Sequence, residues 1–204
     1  MQLIGMPDSP YVRRVAISLK LLGLPFEHRP ISVFRAFDAF SAINPVVKAP
    51  TFVCDDGEVL MDSTLILQYA EAIAVSGRSL VPSGRAAMQH ELRLIGLALA
   101  ACEKSVQIVY ECNLRPPEKQ HEPWVERVRG QLAAAYRGLE GELRTRPLTA
   151  TSASISQADV SVAVAWQFTQ ALLPGIVGES EHAALVAHTL AAEAQPEFRA
   201  CPPQ

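Results

Sequence analysis

The chain has 204 residues, 49% of them hydrophobic and 19% charged, which suits one large or two small folded domains and excludes a disordered chain. A formal net charge of −3 offers nothing to attract a polyanion, so nucleic acid is not an expected partner. Mean hydropathy is +0.14. With no apolar run near the roughly 20 residues of a bilayer span and no signal-peptide pattern at the N-terminus, a cytoplasmic protein with no membrane partner is expected.

In chain order, residues 2–5 read as a short strand, and the turn cluster Met6-Pro7-Asp8 leads to Ser9 and Pro10. Ser9 suits a helix N-cap, and Pro10 suits the first helical position, where its missing N–H costs nothing. Val12, Val15, Ala16, Leu19 and Leu22 give that helix one apolar face, and Gly23 and Pro25 end it. Residues 26–31 alternate as a second strand. Phe34, Phe37 and Phe40 suggest an irregular helix over 32–43, ended by Asn44-Pro45. Residues 51–54 and 58–61 are strands joined by the hairpin turn Asp55-Asp56-Gly57, and Asp62-Ser63 cap a helix reaching about Ile73.

A polar, breaker-rich stretch over 76–84 then separates two domains, and beyond it only helical patterns recur. One helix is expected over 85–112, bent near Gly96, and a second over 118–143, with a break at Arg115-Pro116-Pro117 between them. A loop over 147–154 precedes Ser156-Gln157-Ala158-Asp159, which opens a helix with little polar surface and therefore a central, buried place. A last amphipathic helix covers 182–194, and Cys201-Pro202-Pro203-Gln204 reads as a loose tail. The domains are thus 1–77, a linker over 78–85, and 86–204.

Cys54, Cys102, Cys112 and Cys201 form no CxxC pair and are expected as free thiols; with His28, His90, His121, His182 and His188 scattered, no metal site is expected. Three features carry chemistry, and each has a purely structural alternative. Ser9 stands where a strand turns into a helix, so it is either a plain N-cap or a hydroxyl beside a helix start that favours an anion and lowers the pKa of a nearby thiol. Pro50 precedes a strand, either as an ordinary trans proline or as a cis one that leaves Ala49 to pair with a ligand, with Lys48 beside it to meet a carboxylate. Asp62-Ser63 either cap a helix or bind the ammonium and carboxylate of an anchored ligand.

Taken together, in this order, the three features resemble the glutathione-site pattern of glutathione transferases. The resemblance runs over essentially the whole chain and is clearest over 1–74; it extends to Asn44-Pro45, the Asp56-Gly57 hairpin and the Ser156–Asp159 capping segment. It implies a thioredoxin-like βαβ-α-ββα domain followed by an all-α domain. It implies glutathione as co-substrate, with Ser9 as the residue that stabilises its thiolate, Lys48 near the glycyl carboxylate, Ala49 and Pro50 at the cysteinyl backbone, and Asp62 and Ser63 at the γ-glutamyl end. Serine cannot form a disulfide, which argues against a thiol–disulfide reductase. Arg13 is open to three roles, near Ser9, in solvent or between domains. Many family members carry glycine where Val47 stands, a departure that bears on the Lys48 loop.

The resemblance further implies an electrophile pocket between the domains, with Met6, Tyr11 and Phe34 from the first and Gln107, Tyr110, Glu111 and Trp166 from the second. The expected activity is conjugation of glutathione to a small hydrophobic electrophile, in detoxification, by a homodimer. The alternatives are a glutathione-dependent isomerase, dehalogenase or peroxidase, and a non-catalytic binding or regulatory protein of the same fold.

Overall fold

β1 (Gln2–Ile4) is one of two inner strands of the first domain: Leu3 and Ile4 are wholly buried, and both of its edges are paired. It runs parallel to β2 (Glu27–Arg29) and antiparallel to β3 (Thr51–Val53), which pairs antiparallel with β4 (Val59–Met61), giving the order β2-β1-β3-β4. The helices are α1 (Pro10–Leu21), α2 (Phe37–Ser41) and α3 (Ser63–Ile73), and α1 packs against α3. This is the expected βαβ-α-ββα order of a thioredoxin-like domain. The computed structural model describes residues 1–75, 77–148, 150–151 and 154–203.

Two elements are shorter than the sequence suggests. β2 spans three residues of the expected 26–31. The helix expected over 32–43 reduces to α2, because the Ser32 hydroxyl accepts the N–H groups of Phe34 and Arg35 and holds that stretch as a turn.

The second unit, 81–193, is helical: α4 (Arg85–Leu114), α5 (Glu122–Thr145), α6 (Gln157–Leu172) and α7 (Ala183–Glu193). α4 continues unbroken through Gly96, and the second long helix starts later than expected, after a 3-10 turn over Pro117–Lys119. Of the loop expected over 147–154, residues 149, 152 and 153 lie outside the described residues, as do residue 76 of the expected linker stretch and residue 204 of the tail.

α6 is buried almost all round, as its composition predicts. Its start carries the capping box: the Ser156 hydroxyl accepts the Asp159 N–H at 3.3 Å, and the Asp159 carboxylate accepts the Ser156 N–H at 2.8 Å. Glu91 adds a further acceptor, 3.2 Å from the Ala158 nitrogen. In the middle of this unit the Tyr136 hydroxyl donates to the Ala165 carbonyl at 2.8 Å, and the Thr169 hydroxyl lies 2.6 Å from it and 2.7 Å from that of Ser105. A buried polar chain is thus satisfied within an apolar core.

The C-terminal segment departs from expectation. Residues 194–204 belong with residues 1–80, not with the helical unit. A short helix, α8 (Pro196–Arg199), packs on α1; Arg13 lies over the Phe198 ring, and its Nε donates to the Cys201 carbonyl at 2.8 Å. Arg13 is therefore buried, which overturns its solvent-facing reading, and Cys201 is tied back instead of loose.

Candidate functional site

Strand register brings the three chemical segments to one end of the sheet. Ile4 stands opposite Thr51, and Thr51 opposite Met61, in a single row across β1, β3 and β4. The next residue beyond that row is Gly5 on β1, Pro50 before β3 and Asp62 after β4. Ser9, Ala49-Pro50 and Asp62-Ser63 therefore share one edge.

Gly5 lets the first two segments close up. Its φ is +138°, and a Cβ there would lie 2.6 Å from Val12 Cγ2 and 3.2 Å from Ala49 Cβ. The backbone then turns to Ser9, whose hydroxyl accepts the Val12 N–H at 3.4 Å as the N-cap of α1. The hydroxyl is the acceptor in that bond, so the half-buried Ser9 side chain can offer its own proton to another acceptor.

The Ala49–Pro50 peptide is cis. Its loop is held by Asn44, whose amide donates to Thr51 Oγ1 at 2.8 Å and whose carbonyl accepts the Val46 N–H at 3.0 Å, while the Thr51 hydroxyl donates to the Lys48 carbonyl at 2.7 Å. Val47 has a φ of 53°, the left-handed region that a β-branched side chain resists at a cost of about 1–2 kcal/mol. This is the position where glycine is usual in the resembling family.

Asp62 also sits at positive φ, 75°, as the N-cap of α3, with Oδ1 accepting the Thr64 N–H at 2.9 Å. Strained backbone of this kind persists where the surroundings over-determine it, and it clusters at ligand sites. Lys48 Nζ lies 3.3 Å from Asp62 Oδ2. Burial works against ionisation of Asp62, yet the Thr64 N–H and the Lys48 ammonium outweigh it and hold the carboxyl below the usual carboxylate range. Ser63 opens α3 and is buried.

The residues expected around an electrophile divide into two kinds. In the first unit Met6 and Tyr11 are half-buried and Phe34 is exposed. In the second, Tyr110 is exposed and Gln107 half-buried with its amide donating to Glu103. Glu111 and Trp166 are buried: the Glu111 carboxylate accepts the His121 N–H and pairs with Arg115, and Trp166, 4% exposed, packs edge-on to Tyr136 at 5.1 Å and beside His182. Sequence reasoning missed Asn44 as the loop anchor and Arg14, whose guanidinium reaches Ser63. Among the described residues no cluster of His, Cys, Asp and Glu is arranged to hold a metal ion, and no helix is long and apolar enough to cross a membrane.

Residues 3–77 match the family described as glutathione S-transferase, N-terminal domain, and residues 122–191 match glutathione S-transferase, C-terminal domain. Among solved structures, a glutathione transferase family member from Pseudomonas fluorescens Pf-5 with bound S-(propanoic acid)-glutathione is 30% identical, with all of both chains covered and a TM-score of 0.83. A glutathione S-transferase from Methylobacterium radiotolerans superposes with a TM-score of 0.89 at 23% identity, over 99% of this chain and 94% of that one, and shares the fold. Among curated relatives, the uncharacterized GST-like protein YibF of Escherichia coli (strain K12) is 26% identical over 182 residues, 89% of either chain.

Proposed function

The chain belongs to the glutathione S-transferase family, and we propose that it binds glutathione where β1, β3 and β4 end together and activates its thiol for attack on a small hydrophobic electrophile. The observation that carries this reading is the single row Ile4–Thr51–Met61, which delivers Ser9, the cis Ala49–Pro50 peptide and Asp62-Ser63 to one edge. The S-(propanoic acid)-glutathione bound by the Pseudomonas fluorescens relative supports it.

In this reading the cysteinyl part of glutathione pairs with the backbone of Ala49, alongside the sheet as a further strand would. Asp62 accepts from the γ-glutamyl ammonium, and Ser63 with the start of α3 takes the adjoining carboxylate. Lys48, which is paired with Asp62 here, has a flexible stem that lets it turn to the glycyl carboxylate. The thiol then lies by Ser9 at the start of α1.

Ser9 donates its hydroxyl proton to the sulfur, and the positive end of α1 adds to the same effect, so the thiol gives its proton to water more readily. The thiolate attacks an electrophilic carbon, a C–S bond forms, and the leaving group departs with its electron pair. Met6, Tyr11 and Phe34 are the apolar surface in the first unit that an electrophile would meet. The same surface reading extends to a homodimer: β4 is an edge strand, and Val59, Met61 and Leu65 are exposed on it and on α3.

Calorimetric titration with reduced glutathione, followed by a conjugation assay over a panel of electrophiles, tests the proposal. Binding with turnover is expected. Binding without turnover on any electrophile would favour the non-catalytic alternative, and absence of binding at millimolar ligand would overturn the reading.

A further inference from the structure

Arg14 lies on α1 five residues beyond Ser9, yet its side chain serves another segment. It is 2% exposed, and its Nη1 donates to Ser63 Oγ at 3.1 Å and to Thr64 Oγ1 at 3.3 Å. A guanidinium has donors and no acceptor, so both hydroxyls must accept from it. A hydroxyl that accepts from Arg14 turns its own proton elsewhere, and at the first residues of α3 it turns that proton toward whatever anion meets the helix start. Burial of the cation strengthens its pull on such an anion, because little water lies between them.

From this we infer that Arg14 is the positioning residue for the carboxylate of the γ-glutamyl end, acting through the Ser63 and Thr64 hydroxyls that it holds as donors. The inference rests on the glutathione reading above and deepens it. The start of α3 then has two faces. The Asp62 carboxylate takes an ammonium, and the hydroxyls backed by Arg14 take a carboxylate. That pairing matches the zwitterion of an α-amino acid, which glutathione carries at its γ-glutamyl end.

Calorimetry with three peptides separates this role from a merely structural one. The probes are glutathione, 4-aminobutyryl-cysteinyl-glycine, which lacks the α-carboxylate, and glutaryl-cysteinyl-glycine, which lacks the amine. The parent protein should bind glutathione about tenfold or more tightly than the 4-aminobutyryl peptide, the size expected for a hydrogen-bonded charge. Arg14→Met should weaken glutathione and the glutaryl peptide about tenfold while changing the 4-aminobutyryl peptide less than about twofold. Arg14→Lys keeps the charge without the fork, so it keeps a test available if the methionine variant does not fold; a smaller loss confined to glutathione and the glutaryl peptide, which keep the carboxylate at the γ-glutamyl end, is expected. Equal weakening of all three peptides, or of none, would overturn the role of Arg14 and leave the glutathione reading standing. Failure of the parent protein to bind glutathione would overturn both.

Discussion

Lys48 and Asp62 form an ion pair at 3.3 Å across the edge where the proposed ligand lies, with side chains 51% and 43% exposed. At that exposure the pair is screened by water and contributes less than about 1 kcal/mol to stability. Lys48→Met is therefore expected to leave the urea midpoint nearly unchanged while weakening glutathione about threefold to tenfold, the more so at low salt. An equal loss of stability and affinity would make the pair structural.

The pH dependence of the pair has a definite sign. Asp62 is held below its usual range in the folded chain, so its contribution is present above the unfolded value of about 3.9 and fades as pH falls through the lower, folded value. The stability difference between parent and Asp62→Asn should be flat from about pH 5 to 8 and close below about pH 4. Asparagine suits the positive φ and still accepts the Thr64 N–H, so the comparison isolates the charge.

Val47 holds a φ of 53° in the loop that carries Lys48 and Ala49. Glycine would relieve about 1–2 kcal/mol of steric cost and add about 0.5–1 kcal/mol of chain entropy to the unfolded state. Val47→Gly should leave stability equal or raise it by up to about 1.5 kcal/mol in urea titration. A loss beyond about 1 kcal/mol would mean that the half-buried valine side chain contributes more by packing than its backbone costs.

Ser156 and Asp159 close the start of α6 reciprocally, and α6 is the most buried helix of its unit. Ser156→Ala removes one arm of the box and is expected to cost about 1–2 kcal/mol in thermal or urea unfolding with no change in glutathione affinity. A change in affinity at unchanged stability would contradict a purely structural role.

Turn chemistry made most of the fold legible. Pro10, Gly23, the Asp56-Gly57 hairpin and the Ser156–Asp159 box each mark an element boundary that the structure contains. Spacing misled at 32–43, because Phe34 and Phe37 are exposed and only Phe40 is buried; the three-residue rhythm there does not record a core-facing stripe. The tail at Cys201 looked loose because its anchor, Arg13, stands far away in sequence.

The candidate site was legible where local chemistry carries it. Ser9, Ala49-Pro50 and Asp62-Ser63 each carry a turn or cap signature, and register alone brings them together. Arg14 carries no such signature, since its meaning depends on Ser63, a residue of another helix. Trp166 is ambiguous in sequence for a related reason: an aromatic on an apolar helix fits a core or a cleft equally, and here it packs against Tyr136 and His182.

Stabilisation of the bound glutathione thiolate by the Ser9 hydroxyl is tested most directly by a pH titration of that thiolate, by ultraviolet absorbance, in the parent protein and in Ser9→Ala. The parent should hold the bound thiol below the ordinary thiol value of about 8.5. Ser9→Ala should raise it by about 1–2 units and lower kcat/KM about 10- to 100-fold, with glutathione affinity within about threefold of the parent. The same thiol pKa in parent and variant, with equal activity across the pH range, would contradict the account and move thiolate stabilisation to another donor such as Tyr11 or a backbone N–H.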